Sequence, residues 1–165
     1  MSRPPYALLA ATLAASLFAA AVLRPAPATA EPAPQFSVRA FDGKVVRLSD
    51  LRGHPVVLDF WATWCAPCKA SMPHLTELQE RYRERGLVVI GLSVDDGGVQ
   101  KVKKFAERLG VGFRLAMADD KVLDSYGPIR AIPTTFFINR KGEVVRRVVG
   151  VIDAETIDGY VRELF

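Results

Sequence analysis

The sequence contains little of what several classes of small protein require. Its 165 residues include only two cysteines and two histidines, which excludes a disulfide-stapled miniprotein and leaves few ligands for a zinc site. Lys and Arg exceed Asp and Glu by only 22 to 18. No basic stripe with interleaved aromatic residues occurs, so we expect no nucleic-acid partner. Half of the residues are apolar, which is enough for a buried core and too many for a disordered chain.

The N-terminal residues have the composition of an export signal. Residues 1–30 include no acidic residue, and residues 6–23 form an uncharged run rich in Ala and Leu. Small residues at Ala28 and Ala30 fit positions −3 and −1 of a cleavage site. The run is also nearly long enough to span a bilayer as an uncleaved anchor. We interpret residues 1–30 as a signal peptide or membrane anchor, which predicts a periplasmic or other extracytoplasmic protein.

The remaining chain is predicted to form one domain. Residues 31–35 are interpreted as a Pro-rich link, and the folded domain is expected over residues 36–165. An Asp-Gly pair at 42–43, flanked by strand-like segments, predicts a β-hairpin at the start of that domain.

Strand and helix patterns alternate through the middle of the domain. Apolar runs over 55–60 and 87–94 predict buried strands, and apolar residues at helical spacing follow each run. The order β-α-β-α favours parallel strands with right-handed crossovers. Two strands at 133–138 and 143–149 should be antiparallel because their connection is short, and Asp153 is typical of the cap of a final helix. The fold class is therefore α/β, with a mixed sheet and helices on both faces.

Both cysteines lie in the segment Trp64-Cys65-Ala66-Pro67-Cys68, at the predicted start of a helix. Two thiols at this spacing can close a small ring. Unpaired N–H groups and the dipole at a helix N-terminus favour a thiolate at the first position. We therefore predict that Cys65 is the nucleophile, and that Cys68 resolves the mixed disulfide formed with a substrate.

Two other uses of the cysteines are weaker alternatives. A structural disulfide usually closes a longer loop, and a disulfide between these two cysteines would not connect the ends of the domain. A zinc site could recruit only His54 and His74, without a recognisable spacing. We interpret both histidines as surface residues, and we expect no metal and no cofactor beyond the redox-active disulfide itself.

A single carboxylate interrupts the first apolar run. Burying Asp59 is costly unless its side chain is protonated or paired, so its pKa should rise. It could then exchange protons with Cys68 during resolution. The alternative is an Asp that points to a polar edge of the sheet.

Taken together, these motifs resemble the exported thioredoxin-fold oxidoreductases of the TlpA/ResA type. Residues 58–69 match the active-site segment of that family, and residues 132–138 match its second landmark. Pro73 stands where family members kink the active-site helix. Residues 96–120 correspond to the extra β-α unit of this group. The resemblance implies a thioredoxin-like sheet with an N-terminal hairpin and a central β-α insertion.

The resemblance also implies a substrate-binding set around the dithiol. Pro133 would follow a cis peptide bond opposite the cysteines, and the backbone of Ile132 would pair with an extended substrate strand. Trp64 would shield the sulfurs and present a contact surface, and Ala66 and Pro67 would complete the set.

Proton transfer and the direction of electron flow can be compared with the same relatives. In thioredoxins an Asp occupies the place of Asp59, and alignment puts Gly91 where its Lys partner stands. The strongly oxidising relatives carry Pro-His between the cysteines. Ala66-Pro67 is closer to the reducing relatives, which favours a protein-disulfide reductase.

An extracytoplasmic reductase of this type implies a membrane thiol transporter as its electron source. Its clients would be the cysteine pairs of apocytochromes c or of a copper site in an oxidase. A thiol peroxidase and a copper carrier are the alternatives. The first normally has a Thr-containing loop before its attacking Cys, and the second requires a wider Cys spacing and a distal His.

Overall fold

The computed structural model describes residues 30–165. The strands are β1 Glu31–Pro32, β2 Ser37–Arg39, β3 Val45–Arg47, β4 Val56–Trp61, β5 Val88–Ser93, β6 Arg114–Met117, β7 Thr134–Ile138 and β8 Glu143–Val149. The helices are α1 Ala66–Arg81, α2 Val99–Arg108, α3 Asp120–Tyr126 and α4 Ala154–Arg162.

Six of these strands form one mixed sheet in the order β1-β8-β7-β4-β5-β6. The central strand β4 pairs parallel with β5 and antiparallel with β7. β6 extends the parallel half, and β8 extends the antiparallel half. β2 and β3 form a separate antiparallel hairpin. The predicted mixed sheet, the N-terminal hairpin and the central β-α insertion, formed by α2 and β6, are confirmed.

Alternate side chains of β4 enter cores on opposite faces of the sheet, as the period of a strand requires. Leu58 and Phe60 pack with the hairpin and with Tyr126 of α3. Val57 packs with α1 and α4, and Trp61 packs with α1 and α2. Helices therefore cover both faces, and α1, α2 and α4 share one of them.

The segment predicted to be a Pro-rich link contributes to the sheet. Glu31 and Pro32 pair antiparallel with β8, and Ala33 is buried against the core. A Pro is compatible with this position because β1 is an edge strand. The predicted signal peptide or anchor, residues 1–30, lies outside the described residues except for its last position. Within the described range, no helix is both long and apolar enough to cross a membrane.

The helix caps follow from local sequence. Asp153 caps α4 as predicted, because its carboxylate accepts the backbone N–H of Thr156. Asp119 caps α3 in the same way, by accepting the N–H of Val122. These bonds satisfy N–H groups that a helix start leaves unpaired.

We predict opposite effects from adding one methyl group at two glycines. A Cβ at Gly91, in the central sheet, would lie 2.5 Å from Leu115 Cδ2 and 3.1 Å from Trp61 Nε1. Gly91→Ala should therefore lower the free energy of unfolding by roughly 1–3 kcal/mol through overpacking. A Cβ at Gly159, in α4, would meet nothing within 4 Å, so Gly159→Ala should raise it by roughly 0.5–1 kcal/mol. Urea denaturation measures both, and a neutral Gly91→Ala would contradict the packing described here.

Candidate active site

The two cysteines form a disulfide where α1 begins. Cys65 is the N-cap residue of the helix, and its Sγ accepts the backbone N–H of Cys68 at 3.1 Å. Pro67 occupies the first turn, where a missing N–H costs nothing. Cys65 is 4% exposed and Cys68 is fully buried. The hydrogen bond from the backbone N–H of Cys68 and the helix dipole therefore favour negative charge on the sulfur of Cys65.

A cis-proline loop faces this disulfide. The carbonyl oxygen of Ile132 lies 3.7 Å from Cys65 Sγ, and the Ile132–Pro133 peptide bond is cis, as the family resemblance implied. A second cis bond, Gly127–Pro128, begins the same loop, and the sequence analysis did not predict it.

Exposed apolar side chains lie next to Cys65 and beside the cis-proline loop. Trp64 is 68% exposed, and Val149 and Val151 are 56% and 55% exposed. The backbone N–H of Gly150 donates to the carbonyl of Pro133 at 2.8 Å, which holds the two valines beside the cis-proline loop. Neither valine was predicted to be a site residue, although the apolar residues at the end of β8 break the alternation expected of a strand with one solvent-exposed face.

Asp59 is buried in the middle of β4 with 2% of its surface exposed, and it does not point to a polar edge. Its Oδ1 accepts the hydroxyl of Thr135, in β7, at 2.8 Å. Burial raises the pKa of Asp59 from 3.8 to about 7, and the bond from Thr135 lowers it by a smaller amount. The carboxyl group can therefore gain and lose a proton near neutral pH.

Gly91 lies directly opposite Asp59 in the parallel pair of β4 and β5. The space beside this glycine is filled by Leu115, Phe113 and the indole of Trp61. A lysine side chain could enter only if these groups moved. The carboxyl group of Asp59 consequently has no cationic partner from β5.

A buried carboxylate that the sequence analysis missed holds the loop between β4 and α1. Asp95 follows β5 and accepts the backbone N–H of Thr63 at 2.8 Å and the Thr63 hydroxyl at 2.5 Å. It also accepts the hydroxyl of Ser93 at 2.8 Å. These bonds fix the loop that carries Trp64 and Cys65 onto the end of the neighbouring strand. A pair of acidic residues directly after a buried strand was the available signal.

The two histidines differ. His54 Nδ1 lies 3.0 Å from the carbonyl oxygen of Gly86 in an exposed loop, as expected of a surface residue. His74 is less exposed than expected of a surface residue, because it is half-buried on α1 and its Nδ1 is buried. Among residues 30–165, no group of three or more His, Cys, Asp and Glu side chains is arranged to hold a metal ion.

Comparison with known proteins agrees with this geometry. The model of the AhpC/TSA family matches residues 29–147. The chain is 37% identical over 133 residues to the thiol-disulfide oxidoreductase ResA of Bacillus thuringiensis (strain Al Hakam), an alignment that covers 80% of this chain and 76% of the relative. The chain belongs to the ResA-like thiol-disulfide oxidoreductases of the AhpC/TSA family.

Other ResA-like proteins and solved structures extend the similarity. ResA of Bacillus subtilis (strain 168) is 35% identical over 130 residues, which are 78% of this chain and 72% of that protein. The crystal structure of a putative thiol:disulfide interchange protein DsbE from Chlorobium tepidum superposes with a TM-score of 0.75 at 31% identity. It covers 82% of this chain and 96% of the other. The Cys65–Cys68 pair thus lies in a thiol-disulfide oxidoreductase with a thioredoxin-like fold.

The buried acceptor Asp95 should matter more to stability than its neighbour. Asp95→Ala removes the acceptor of three hydrogen bonds, so we expect the free energy of unfolding to fall by roughly 2–4 kcal/mol. Asp96 is exposed, and Asp96→Ala should change it by less than about 0.5 kcal/mol. Chemical denaturation of both variants measures the difference, and equal losses would contradict the assigned bonds.

The raised pKa of Asp59 predicts how stability depends on pH. In the folded protein the carboxyl group of Asp59 keeps its proton up to about pH 7, whereas in the unfolded chain it loses this proton near pH 3.8. The folded state therefore binds more protons in this window, and the contribution of Asp59 makes the free energy of unfolding fall as pH rises.

Asp59→Asn removes that dependence. The free energy of unfolding of the variant minus that of the unsubstituted protein should increase by an amount on the order of 4 kcal/mol as the pH rises from 4 to 8. Denaturation of the oxidised proteins at several pH values measures the difference. A difference that does not change with pH would mean that the carboxyl group of Asp59 titrates normally.

Proposed function

We propose that this oxidoreductase is an extracytoplasmic protein-disulfide reductase. The reduced Cys65 thiolate attacks a client disulfide, one client sulfur leaves as a thiolate and takes up a proton, and a mixed disulfide forms at Cys65. Cys68 then gives up its proton and attacks Cys65 Sγ, which releases the second client sulfur. The client gains two electrons and two protons, and the protein is left with its Cys65–Cys68 disulfide.

The different positions of the two cysteines at the helix start are the observation that carries this assignment. Cys68 is fully buried and lies within the first turn of α1, whereas Cys65 caps the helix at the edge of the exposed surface. Cys65 is therefore the cysteine that a client sulfur would meet first. Cys68 is the thiol that lies close enough to attack Cys65 Sγ in the mixed disulfide.

The surface around Cys65 supports a protein client in an extended conformation. Trp64, next to Cys65, and Val149 and Val151, beside the cis-proline loop, offer exposed apolar contacts. The backbone of Ile132 passes directly beside Cys65, where it could pair with a client strand. Ala66 and Pro67 are exposed at the helix start and complete the proposed contact surface with Pro133.

The residues between the cysteines support the reducing direction. Ala66 and Pro67 add no charge near Cys65 and no further hydrogen-bond donor from a side chain. These two residues then add nothing to the stabilisation of the thiolate by the helix end, and a less stabilised thiolate gives a more reducing couple. A membrane thiol transporter would return electrons to the disulfide outside the cytoplasm.

Residues 1–30 support the extracytoplasmic location through their composition, as a signal peptide or as an anchor over residues 6–23. In that compartment, proteins whose cysteines must be reduced before they bind a cofactor need a reductase. Apocytochromes c and copper-site proteins are the clients proposed.

Asp59 is the proposed proton acceptor for Cys68. It lies under the first turns of α1, in a cavity wall shared with Ser71 and Pro133, and the hydroxyl of Ser71 donates to the carbonyl of Cys68 at 2.9 Å. A carboxyl group with a pKa of about 7 can accept a thiol proton and return it within the same cycle.

Trapping of a mixed disulfide tests which cysteine attacks the client and which one resolves the intermediate. Cys68→Ala should accumulate a mixed disulfide with a client, because the resolving thiol is missing, and mass spectrometry should place the bond at Cys65. Cys65→Ala is the matched control and should form little adduct, since its remaining thiol is buried. Faster adduct formation by Cys65→Ala would reverse the two roles.

Two further measurements test the direction and the chemistry. A reductase should require a strongly reducing thiol buffer to open its disulfide. Complete reduction in a mildly reducing glutathione buffer would instead identify an oxidant. Rapid consumption of peroxide by the reduced protein would favour the peroxidase alternative.

A further inference from the structure

A small cavity lies beneath α1, on the side of the sheet that carries Asp59. Its volume is about 10 Å³, close to the space that one water molecule needs. The polar side chains in its wall are those of Asp59, Ser71, His74 and Thr135. Asp59 and His74 are the two members of this wall that can ionise, and they come from β4 and α1.

Some of the polar groups around this cavity have hydrogen-bond partners and one does not. Ser71 donates to the carbonyl of Cys68, and Thr135 donates to Asp59. Nδ1 of His74 is buried and has no hydrogen-bond partner in the described part of the chain. An unpaired buried ring nitrogen is costly to keep, so its position beside a water-sized cavity calls for an explanation.

The surroundings of Asp59 leave a role open for this histidine. Gly91 supplies no cation on the β5 side, and apolar and indole groups fill that space. Asp59 instead lines the cavity beneath α1, whose other ionisable wall residue is His74. His74 is the residue on that side which is both half-buried and able to carry a proton.

We propose that His74 is a positioning and proton-relay residue of the dithiol reaction, linked to Asp59 across this cavity. The proposal rests on the role of Asp59 as the proton acceptor for Cys68. At neutral pH His74 takes the proton of the Asp59 carboxyl group through a water in the cavity and releases it to solvent. The carboxylate formed in this way then accepts the proton of Cys68 as that thiol attacks. No electron is transferred in this relay, and one proton leaves the site for each resolution step.

An aromatic disulfide reagent with two coloured thiolate leaving groups separates the steps. The reduced protein should release one coloured thiolate when Cys65 attacks and a second when Cys68 resolves the mixed disulfide. Because these leaving groups need no proton, the second phase reports how readily Cys68 is deprotonated. Stopped-flow absorbance from pH 5.5 to 8 measures both phases.

His74→Gln should leave the first phase unchanged and slow the second, by roughly tenfold near neutral pH, because a relay contributes less than a direct acid or base. His54→Gln, at the other histidine of the chain, is the matched control and should change neither phase. Added imidazole should restore the second phase of His74→Ala. A second phase in His74→Gln with the rate and pH profile of the unsubstituted protein would overturn the proposal.

The double variant distinguishes this relay from a structural effect. If His74 acts through Asp59, Asp59→Asn slows the second phase, and adding His74→Gln slows it no further. Equal slowing by His74→Gln in both backgrounds would show that His74 acts elsewhere, and would overturn the relay while leaving Asp59 in place. An unchanged second phase in Asp59→Asn would overturn both assignments. The first phase, which reports attack by Cys65, tests the dithiol reaction independently.

Discussion

The attachment of the β4–α1 loop to the end of β5 is the interaction on which the redox site depends. β4 is the central strand, so the chain that leaves it must enter α1 between the ends of its two neighbours. The carboxylate of Asp95 holds Thr63 from one side, and the cis-proline loop that precedes β7 closes on Cys65 from the other. The helix N-terminus is thereby fixed against both neighbours. Thiolate stabilisation by that helix end requires this fixed geometry.

The same sheet carries a destabilising group in its interior. Keeping the Asp59 carboxylate charged in the fold above neutral pH costs an amount on the order of 4 kcal/mol relative to the unfolded chain, a large fraction of the stability of a small domain. A hydrogen bond from Thr135 offsets part of this cost. A protein that only needed a core would gain stability from an apolar residue here. Groups whose pKa is strongly shifted cluster at functional sites, where they gain and lose protons.

Much of the fold and part of the site could be predicted from the sequence. The hairpin, the alternation of buried strands and helices, and the cap at Asp153 follow from local patterns whose physical basis is the period of each element. The proximity of Cys65 and Cys68 follows from their spacing at a helix start. The burial of Asp59 follows from its apolar neighbours in the chain. Each of these properties depends on residues that are close in sequence.

Only the tertiary structure decided which distant residues meet. Asp95 was not predicted because it contacts Thr63 across two parallel strands, 32 positions along the chain. His74 was assigned no role because the pattern of α1 does not show that this residue lines a cavity with Asp59. Val149 joins the exposed surface through a backbone bond between Gly150 and the cis-proline loop. The sequence by itself determined the elements and the dithiol. The packing of those elements determined which groups line the cavity at Asp59 and which apolar side chains lie beside the cis-proline loop, because long-range contacts depend on how strands are ordered in the sheet.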